Sequence, residues 1–273
     1  MGKFIIGIDI GGSTTKIVGL RDGKLVNPFM AKASDPLTSA YGAFGKYLND
    51  NGLAISDVEK VIITGVGSGF FRDGLYGIPT FKEDEFRCVG LGGRFVSGMD
   101  NLVVVSMGTG TAIVSVQNGQ PEYIGGTGVG GGTILGLSQK MLGVRDFDTI
   151  IRLADKGDLS KVDLLIGDIS PDSVGNMNAA VTASNFGNVS DEATQADLAR
   201  GLLNMVVQTI GLSAIFCGRA KGLDTIVLTG NLSKVALRET LDMMESLYSV
   251  KFLVPEDSEF AAAIGAAICG ALQ

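Results

Sequence analysis

The chain has 273 residues, 45% of them hydrophobic and 19% charged, which is the profile of an ordinary folded protein with room for one large or two modest domains. Its net charge of −7 argues against a long nucleic-acid footprint, because phosphate backbones are bound by clustered positive charge. Histidine is absent, which excludes histidine triads and histidine metal sites, and the three scattered cysteines form no CxxC pair. The cysteine usage points to a reducing cytosol, with no disulfide scaffold, zinc ribbon or iron–sulfur cluster.

In chain order, Lys3 to Ile10 reads as a buried strand that starts almost at once, so no leader is expected. Gly11 to Thr15 reads as a turn, Lys16 to Leu20 as a second strand, and Asp22-Gly23 as a hairpin into a third. Ser34-Asp35-Pro36 starts a helix that ends at Gly52. A strand follows at Val61 to Thr64 and a glycine-weakened helix at Glu85 to Val96. Leu102 to Met107, the turn Gly108 to Thr111, and Ala112 to Val116 repeat the strand-turn-strand pattern, and Asn118-Gly119 closes a hairpin into Glu122 to Ile124. The glycine-rich loop Gly125 to Gly132 then opens a helix to Leu142, and Phe147 to Ala154 is a further helix.

Gly157 to Asn188 has no clear period. Asp191 is expected to cap a long helix to Ala220, followed by a strand at Thr225 to Thr229, a helix at Leu232 to Leu247 and a strand at Lys251 to Val254. Phe260 to Leu272, rich in Ala and Gly, closes the chain as a tightly packed helix. No stretch reaches the roughly 18 uninterrupted apolar residues of a membrane span. Alternating strands and helices give an α/β class.

The two strand-turn-strand units, Gly7 to Val18 and Val104 to Val114, line up as a duplication, one copy per half. Chance likeness of two glycine turns is the plain alternative. A true duplication would set the turns facing each other across a cleft. The first turn suits a nucleoside triphosphate. Gly11 and Gly12 admit phosphate oxygens to the backbone amides, Ser13, Thr14 and Thr15 add hydroxyls, and Lys16 supplies a point charge. Asp9 at the strand end can hold Mg²⁺ through its water shell. The bland reading is a hairpin with solvated hydroxyls. The second turn has Ser106 where the first has Asp9, so it would cradle phosphate without metal.

Gly126, Gly128 and Gly131 carry the GxGxxG spacing, but the loop lies mid-chain after a hairpin and no strand-end acid follows, so a helix N-terminus serving nucleotide phosphate fits better than a dinucleotide site. There is no GxxxxGK[ST] motif. Glu83-Asp84-Glu85-Phe86 begins a helix, where apolar neighbours can raise one carboxylate toward neutrality as a base. Simple stabilisation of the helix N-terminus accounts for it equally well. Thr229-Gly230-Asn231 is either a resting place for base or ribose or a plain strand-to-helix turn.

Together, Asp9 to Lys16, Gly108 to Thr111, Thr229 to Asn231 and the final Ala/Gly helix resemble the five-element nucleotide site of the acetate/sugar kinase–Hsp70–actin superfamily. Gly125 to Leu137, Glu85-Phe86-Arg87-Cys88 and Ala183 to Gly187 are similar to segments of type II pantothenate kinases. This resemblance implies a duplicated actin-like (ribonuclease H-like) two-domain ATPase fold with an interdomain cleft. Residues 1–100, with a C-terminal helix at about 258–273 packing at the hinge, would form one domain and 101–273 the other. It implies ATP and Mg²⁺ as cofactors, Glu85 as the base on the pantothenate hydroxyl, Asp9 on the metal side and Lys16 at the γ-phosphate. It places Thr109, Gly131, Gly132, Thr133, Ile134 and Leu135 toward ATP, with Phe147 and Asn231 on the nucleotide side. The product would enter coenzyme A synthesis, in a cytoplasmic homodimer with neither nucleic acid nor membrane as partner. The long helix from Asp191 would form part of the dimer contact.

The family usually has Arg just before the glycine-rich segment, near the transferred phosphoryl; Tyr123-Ile124 stands there instead, with one hydrogen-bond donor and no charge. The acceptor is therefore left open between pantothenate and a related hydroxyl compound. A sugar or amino-sugar kinase and a nucleotide-dependent assembly protein are the other readings. An activator of radical dehydratases is disfavoured, because no cysteine pair is placed to bridge a cluster between subunits.

Overall fold

The structure, a computed structural model, describes residues 2–33, 35–71, 74–170, 177–235 and 237–272. The strands and helices of the first half are β1 (Phe4–Ile10), β2 (Thr14–Arg21), β3 (Lys24–Lys32), α1 (Pro36–Asp50), β4 (Val58–Thr64), β5 (Thr80–Lys82) and α2 (Glu85–Ser97). Those of the second half are β6 (Leu102–Met107), β7 (Thr111–Gln117), β8 (Gln120–Thr127), α3 (Gly131–Met141), α4 (Phe147–Ala154), β9 (Leu164–Leu165), α5 (Ile166–Ile169), β10 (Thr182–Ser184), α6 (Gln195–Lys221), β11 (Thr225–Thr229), α7 (Arg238–Tyr248), β12 (Lys251–Leu253) and α8 (Ala261–Leu272).

One sheet runs β3-β2-β1-β4-β5 and a second runs β8-β7-β6-β11-β12, with β9 and β10 as a separate ribbon. In each large sheet the first three strands are antiparallel in sequence and the last two join parallel. The two sheets thus share one topology, and the duplication extends through five strands each.

The register makes the correspondence residue by residue. Asp9 pairs with Lys16 on one side and Thr64 on the other; Ser106 pairs with Ala112 and Thr229 in the same way. Thr64-Gly65 and Thr229-Gly230 are therefore equivalent, and both glycines are left-handed, with φ of 86° and 83°. The second turn is one residue shorter, so Ala112 and not Ile113 faces the position of Lys16.

The layers follow from burial. Ile6, Ile8, Ile10 and Ile17 bury one face of the first sheet against Phe44 and Tyr47 of α1. Val103, Val105, Ile226 and Leu228 bury the second sheet against Leu203, Val206 and Ile210 of α6. Between the sheets lie α8 and α2. Val18 packs on Ile264 and Ala267, and Ile62 on Cys88, Ala266 and Cys269. Val89 of α2 packs on Leu102, Val104 and Val114 of the second sheet. Small residues make this layer possible. A Cβ on Gly265 would lie 1.8 Å from the Cys88 carbonyl, and one on Gly92 1.7 Å from that of Ala261.

Several boundaries depart from the sequence reading. Thr14 and Thr15 belong to β2, and Gly125 and Gly126 to β8. The cap of α6 is Thr194, which exchanges hydrogen bonds with Asp197, and Asp191 lies outside the helix. Leu232 precedes a short 3₁₀ turn, and α7 starts only at Arg238. Asp35 does cap α1, accepting from the Thr38 amide at 2.7 Å; Ser34 lies outside the described residues. The segment that showed no period holds β9, α5 and β10, with 171–176 also outside the described residues. Helix α6 is long and apolar enough, by length and composition, to cross a membrane, yet 67% of its most apolar window is buried within the protein.

Candidate active site

A cleft of about 490 Å³ opens where the ends of β1 and β6 face each other. Asp9, Gly11, Gly12, Ser13, Thr14 and Lys16 line it from one sheet, and Ser106, Gly108, Thr109, Gly110 and Thr111 from the other. The turns are close across the gap: a Cβ on Gly12 would come within 4.0 Å of the Thr109 hydroxyl. Asn231, from the turn after β11, reaches over and donates from Nδ2 to the Thr14 hydroxyl at 3.3 Å. Glu85 and Phe86 enter from the N-terminus of α2, and Val66 and Tyr123 complete the rim.

Asp9 and Lys16 are cross-strand neighbours, and both are almost fully buried. The Lys16 ammonium lies 3.8 Å from the Asp9 carboxylate, an ion pair too long for a direct hydrogen bond. Burial pushes the Asp9 carboxyl above its ordinary range, and the charge of Lys16 partly opposes this. Gly65 allows the approach, because a Cβ there would sit 2.6 Å from the Asp9 carboxylate. Its equivalent Gly230 would bring a Cβ within 2.7 Å of the Met107 carbonyl. Glu85, half-buried at the start of α2, is also raised, first by burial and then by the charges of Asp9 and Asp84, with Lys16 opposing. Asp84 caps α2, accepting from the Arg87 amide at 2.8 Å.

The residues present fit a triphosphate and a hard cation. Two opposed glycine turns leave open backbone on both walls, and a buried carboxylate beside a single ammonium sits between them. Among the described residues no group of three or more Cys, Asp or Glu side chains is arranged as a metal cage. A cation here would therefore take Asp9 from the protein and its other ligands from phosphate and water, the usual habit of Mg²⁺.

Other residues singled out from sequence lie elsewhere. Thr15 faces away from the cleft, fully buried, with an unpartnered hydroxyl. The amides of Gly131 and Gly132 are already spent, donating to the carbonyls of Gly108 and Thr109 at 2.9 Å each, so this helix end braces the second turn. Thr133 closes its own loop, donating to the Gly128 carbonyl and accepting from the Gly130 amide. Ile134 is core, and Leu135 and Phe147 pack against that core. Thr15, Gly131, Gly132, Thr133, Ile134, Leu135 and Phe147 are thus not among the residues lining this cleft, whereas Gly126, Thr127 and Gly128 are. Val66 was not read as a site residue, Phe86 only as an apolar neighbour of Glu85, and Gly230 only within the turn Thr229-Gly230-Asn231. The Thr64-Gly65 and Thr229-Gly230 repeat marks that glycine in the sequence a second time.

Residues 101–268 match the family model described as Fumble. The chain belongs to the Fumble family. Among curated relatives it is 27% identical over 274 residues to a type II pantothenate kinase of Bacillus cereus (strain ATCC 14579), covering 96% of each chain. It is equally 27% identical to one from Staphylococcus haemolyticus (strain JCSC1435), covering 96% of this chain and 98% of that one. The resemblance to type II pantothenate kinases thus holds over nearly the whole length.

Among solved structures, the ADPNP-bound activator of the 2-hydroxyisocaproyl-CoA dehydratase from Clostridium difficile superposes with a TM-score of 0.71 at 18% identity, covering 97% of this chain and 93% of that one. A ROK family glucokinase from Streptomyces griseus, in complex with glucose and AMPPNP, gives 0.64 at 13% identity, covering 97% and 98%. These likenesses establish the fold, a duplicated actin-like α/β ATPase architecture.

Proposed function

We propose that this Fumble-family chain is an ATP- and Mg²⁺-dependent kinase that phosphorylates the primary hydroxyl of pantothenate or a close relative. One observation carries the reading: the Glu85 carboxylate opens into the same cleft as Asp9, Lys16 and both glycine turns. Asp9 would hold the metal through water, and Lys16 would meet the outermost phosphate. The amides of Gly12, Ser13, Thr109 and Gly110, with the Ser13, Thr14 and Thr109 hydroxyls, would bind the phosphates, while the Gly11 and Gly108 amides close the turns on the Thr14 and Gly110 carbonyls; Asn231 would lie toward the nucleoside. Glu85 would take the proton from the acceptor hydroxyl as it attacks the γ-phosphorus. Its raised affinity for protons suits that task, since a base works best when its pKa approaches the working pH. Most of the acceleration would come from positioning and from charge stabilisation on the phosphoryl oxygens.

On this reading residues 1–100 with about 258–273 form one lobe and 101–273 the other. The protein acts as a cytoplasmic homodimer at the entry to coenzyme A synthesis. The names of the full-length relatives support the substrate class. The test is direct. Purified protein with Mg·ATP and a panel of pantothenate, hexoses and amino sugars is followed by ADP release and by mass detection of the phosphorylated acceptor. Phosphopantothenate formed one-for-one with ADP supports the reading. Phosphorylation of sugars alone, or ATP-dependent sedimentation with no acceptor phosphorylated, overturns it.

A further inference from the structure

Beside the proposed base the cleft has an aromatic wall. Phe86, directly after Glu85 in α2, stacks on Tyr123 of β8 with ring centroids 3.8 Å apart and planes at 17°. The two rings come from different elements, so the stack joins the helix that carries Glu85 to the edge of the second sheet. Tyr123 is nevertheless 48% exposed, and both rings line the cleft. Its hydroxyl leans over Gly126, where a Cβ would lie 3.3 Å from it. An aromatic pair fixed this way presents a flat apolar surface beside the proposed base.

Among the described residues, the charged groups lining the cleft are Asp9, Glu85 and Lys16. Lys16 is buried beside Asp9 and is assigned to phosphate. Arg87, the cation nearest in sequence, is not among the lining residues and is ion-paired with Glu83 at 3.4 Å. An acceptor carboxylate entering past Phe86 and Tyr123 would meet two acids and, among the described residues, no cation left to receive it. Like-charge juxtaposition of this kind is a way of rejecting a ligand as well as a cost.

We propose that the Phe86–Tyr123 stack is the specificity wall of the acceptor subsite, and that the cleft prefers a primary alcohol whose remaining body is uncharged, such as an amide, over one bearing a carboxylate. The proposal rests on the kinase reading above and names its acceptor class. Apolar carbon next to the reacting hydroxyl would lie on the rings, and the neutral tail would leave past Tyr123.

The test compares kcat/KM for pantothenate and for its N-methyl amide, identical around the reacting hydroxyl, with a neutral amide in place of the distal carboxylate. The amide is expected to be favoured by about tenfold or more. Tyr123→Arg should erase or reverse that ratio. Tyr123→Ala should lower kcat/KM for both acceptors through KM, by about tenfold. Equal or better use of pantothenate by the unaltered protein overturns the proposal, as does a ratio that Tyr123→Arg leaves in place. If Mg·ATP binds and neither acceptor is phosphorylated, the kinase reading itself fails and the wall with it. If both are phosphorylated equally well, only the wall fails.

Discussion

Gly265→Ala puts two effects of opposite sign in one residue. Gly265 lies inside α8, where alanine is worth about 1 kcal/mol more than glycine on helix propensity alone. Yet its Cβ would stand 1.8 Å from the Cys88 carbonyl, and ordinary contact begins near 3.4 Å, so the helices must part by about 1.6 Å. A gap of roughly 0.5–1 Å already forfeits a quarter to a half of a dispersion contact. Neither backbone can yield locally, because Gly92 closes the same pair of helices against the Ala261 carbonyl. Overpacking at the upper end of its range, about 3 kcal/mol, then outweighs the propensity gain and leaves about 2 kcal/mol of net destabilisation. Urea unfolding reads this as a lower midpoint at unchanged slope. Gly42→Ala, in α1 with nothing within 4 Å of the added methyl, is the control and should gain about 1 kcal/mol. Because α2 carries Glu85, Gly265→Ala should also lower kcat; a displacement of about 1 Å can cost of order 10²-fold. If Gly265→Ala stabilised the protein as much as Gly42→Ala, the account of the helix layer would be wrong.

Further outcomes follow from the site and the caps. Glu85→Gln should lower kcat by roughly 10²–10⁴-fold while leaving Mg·ATP affinity unchanged. Since Glu85 must be ionised to act and its carboxyl is raised, kcat/KM should rise with pH through a limb above the ordinary glutamate range. Asp84→Asn keeps the cap but removes one of the charges that raise Glu85, so steady-state pH profiles should show that limb displaced to lower pH. Asp197 is held below the usual carboxylate range by donation from the Asp158 amide at 2.7 Å, then by the amide and hydroxyl of Thr194 at 2.8 and 2.7 Å. Its stabilisation is present above the unfolded carboxylate pKa and is lost as pH falls through the lower folded value. Asp197→Asn should therefore lower the urea midpoint at neutral pH, and the difference from the unaltered protein should close in acid.

The fold was legible where local chemistry and tertiary structure agree. Phe4 to Ile10 and Leu102 to Met107 are largely apolar, largely buried runs, and each is followed by a glycine turn. The site was legible where it lies in those turns: Asp9, Lys16, Thr109 and Asn231 meet in one cleft. In the glycine-rich loop, motif and hydrogen bonding diverge. Gly131 and Gly132 look like phosphate donors, but Gly108 and Thr109 consume their amides. Ile134 and Leu135 follow from helix periodicity, which turns one face to the core whatever the motif implies. Asp191 was read as the cap of α6, but Thr194 holds that place because its capping box is closed by Asp197, three residues further along. Phe86 and Tyr123, distant in sequence, meet only once α2 is laid on the second sheet.

The register also shows how a duplicated scaffold becomes asymmetric. At equivalent positions one sheet has Asp9 opposite Lys16 and the other has Ser106 opposite Ala112. The paired charges therefore belong to the first sheet alone. The proposed base does not: Glu85 is carried by α2, whose Val89 is embedded in the second sheet and whose Phe86 is stacked on β8. Glu85 is nevertheless tethered to the first sheet as well: Glu83, two residues before it, donates its amide to the Ile63 carbonyl at 3.0 Å and accepts at its own carbonyl from the Thr64 hydroxyl at 3.1 Å, and Thr64 pairs with Asp9. The α2–α8 contact adds to that tether, since α8 is seated on the first sheet through Gly7, where a Cβ would lie 2.0 Å from the Ala263 carbonyl. Tether and contact together set the Asp9-to-Glu85 spacing. Loosening the close glycine packing of these two helices should accordingly reach the chemistry.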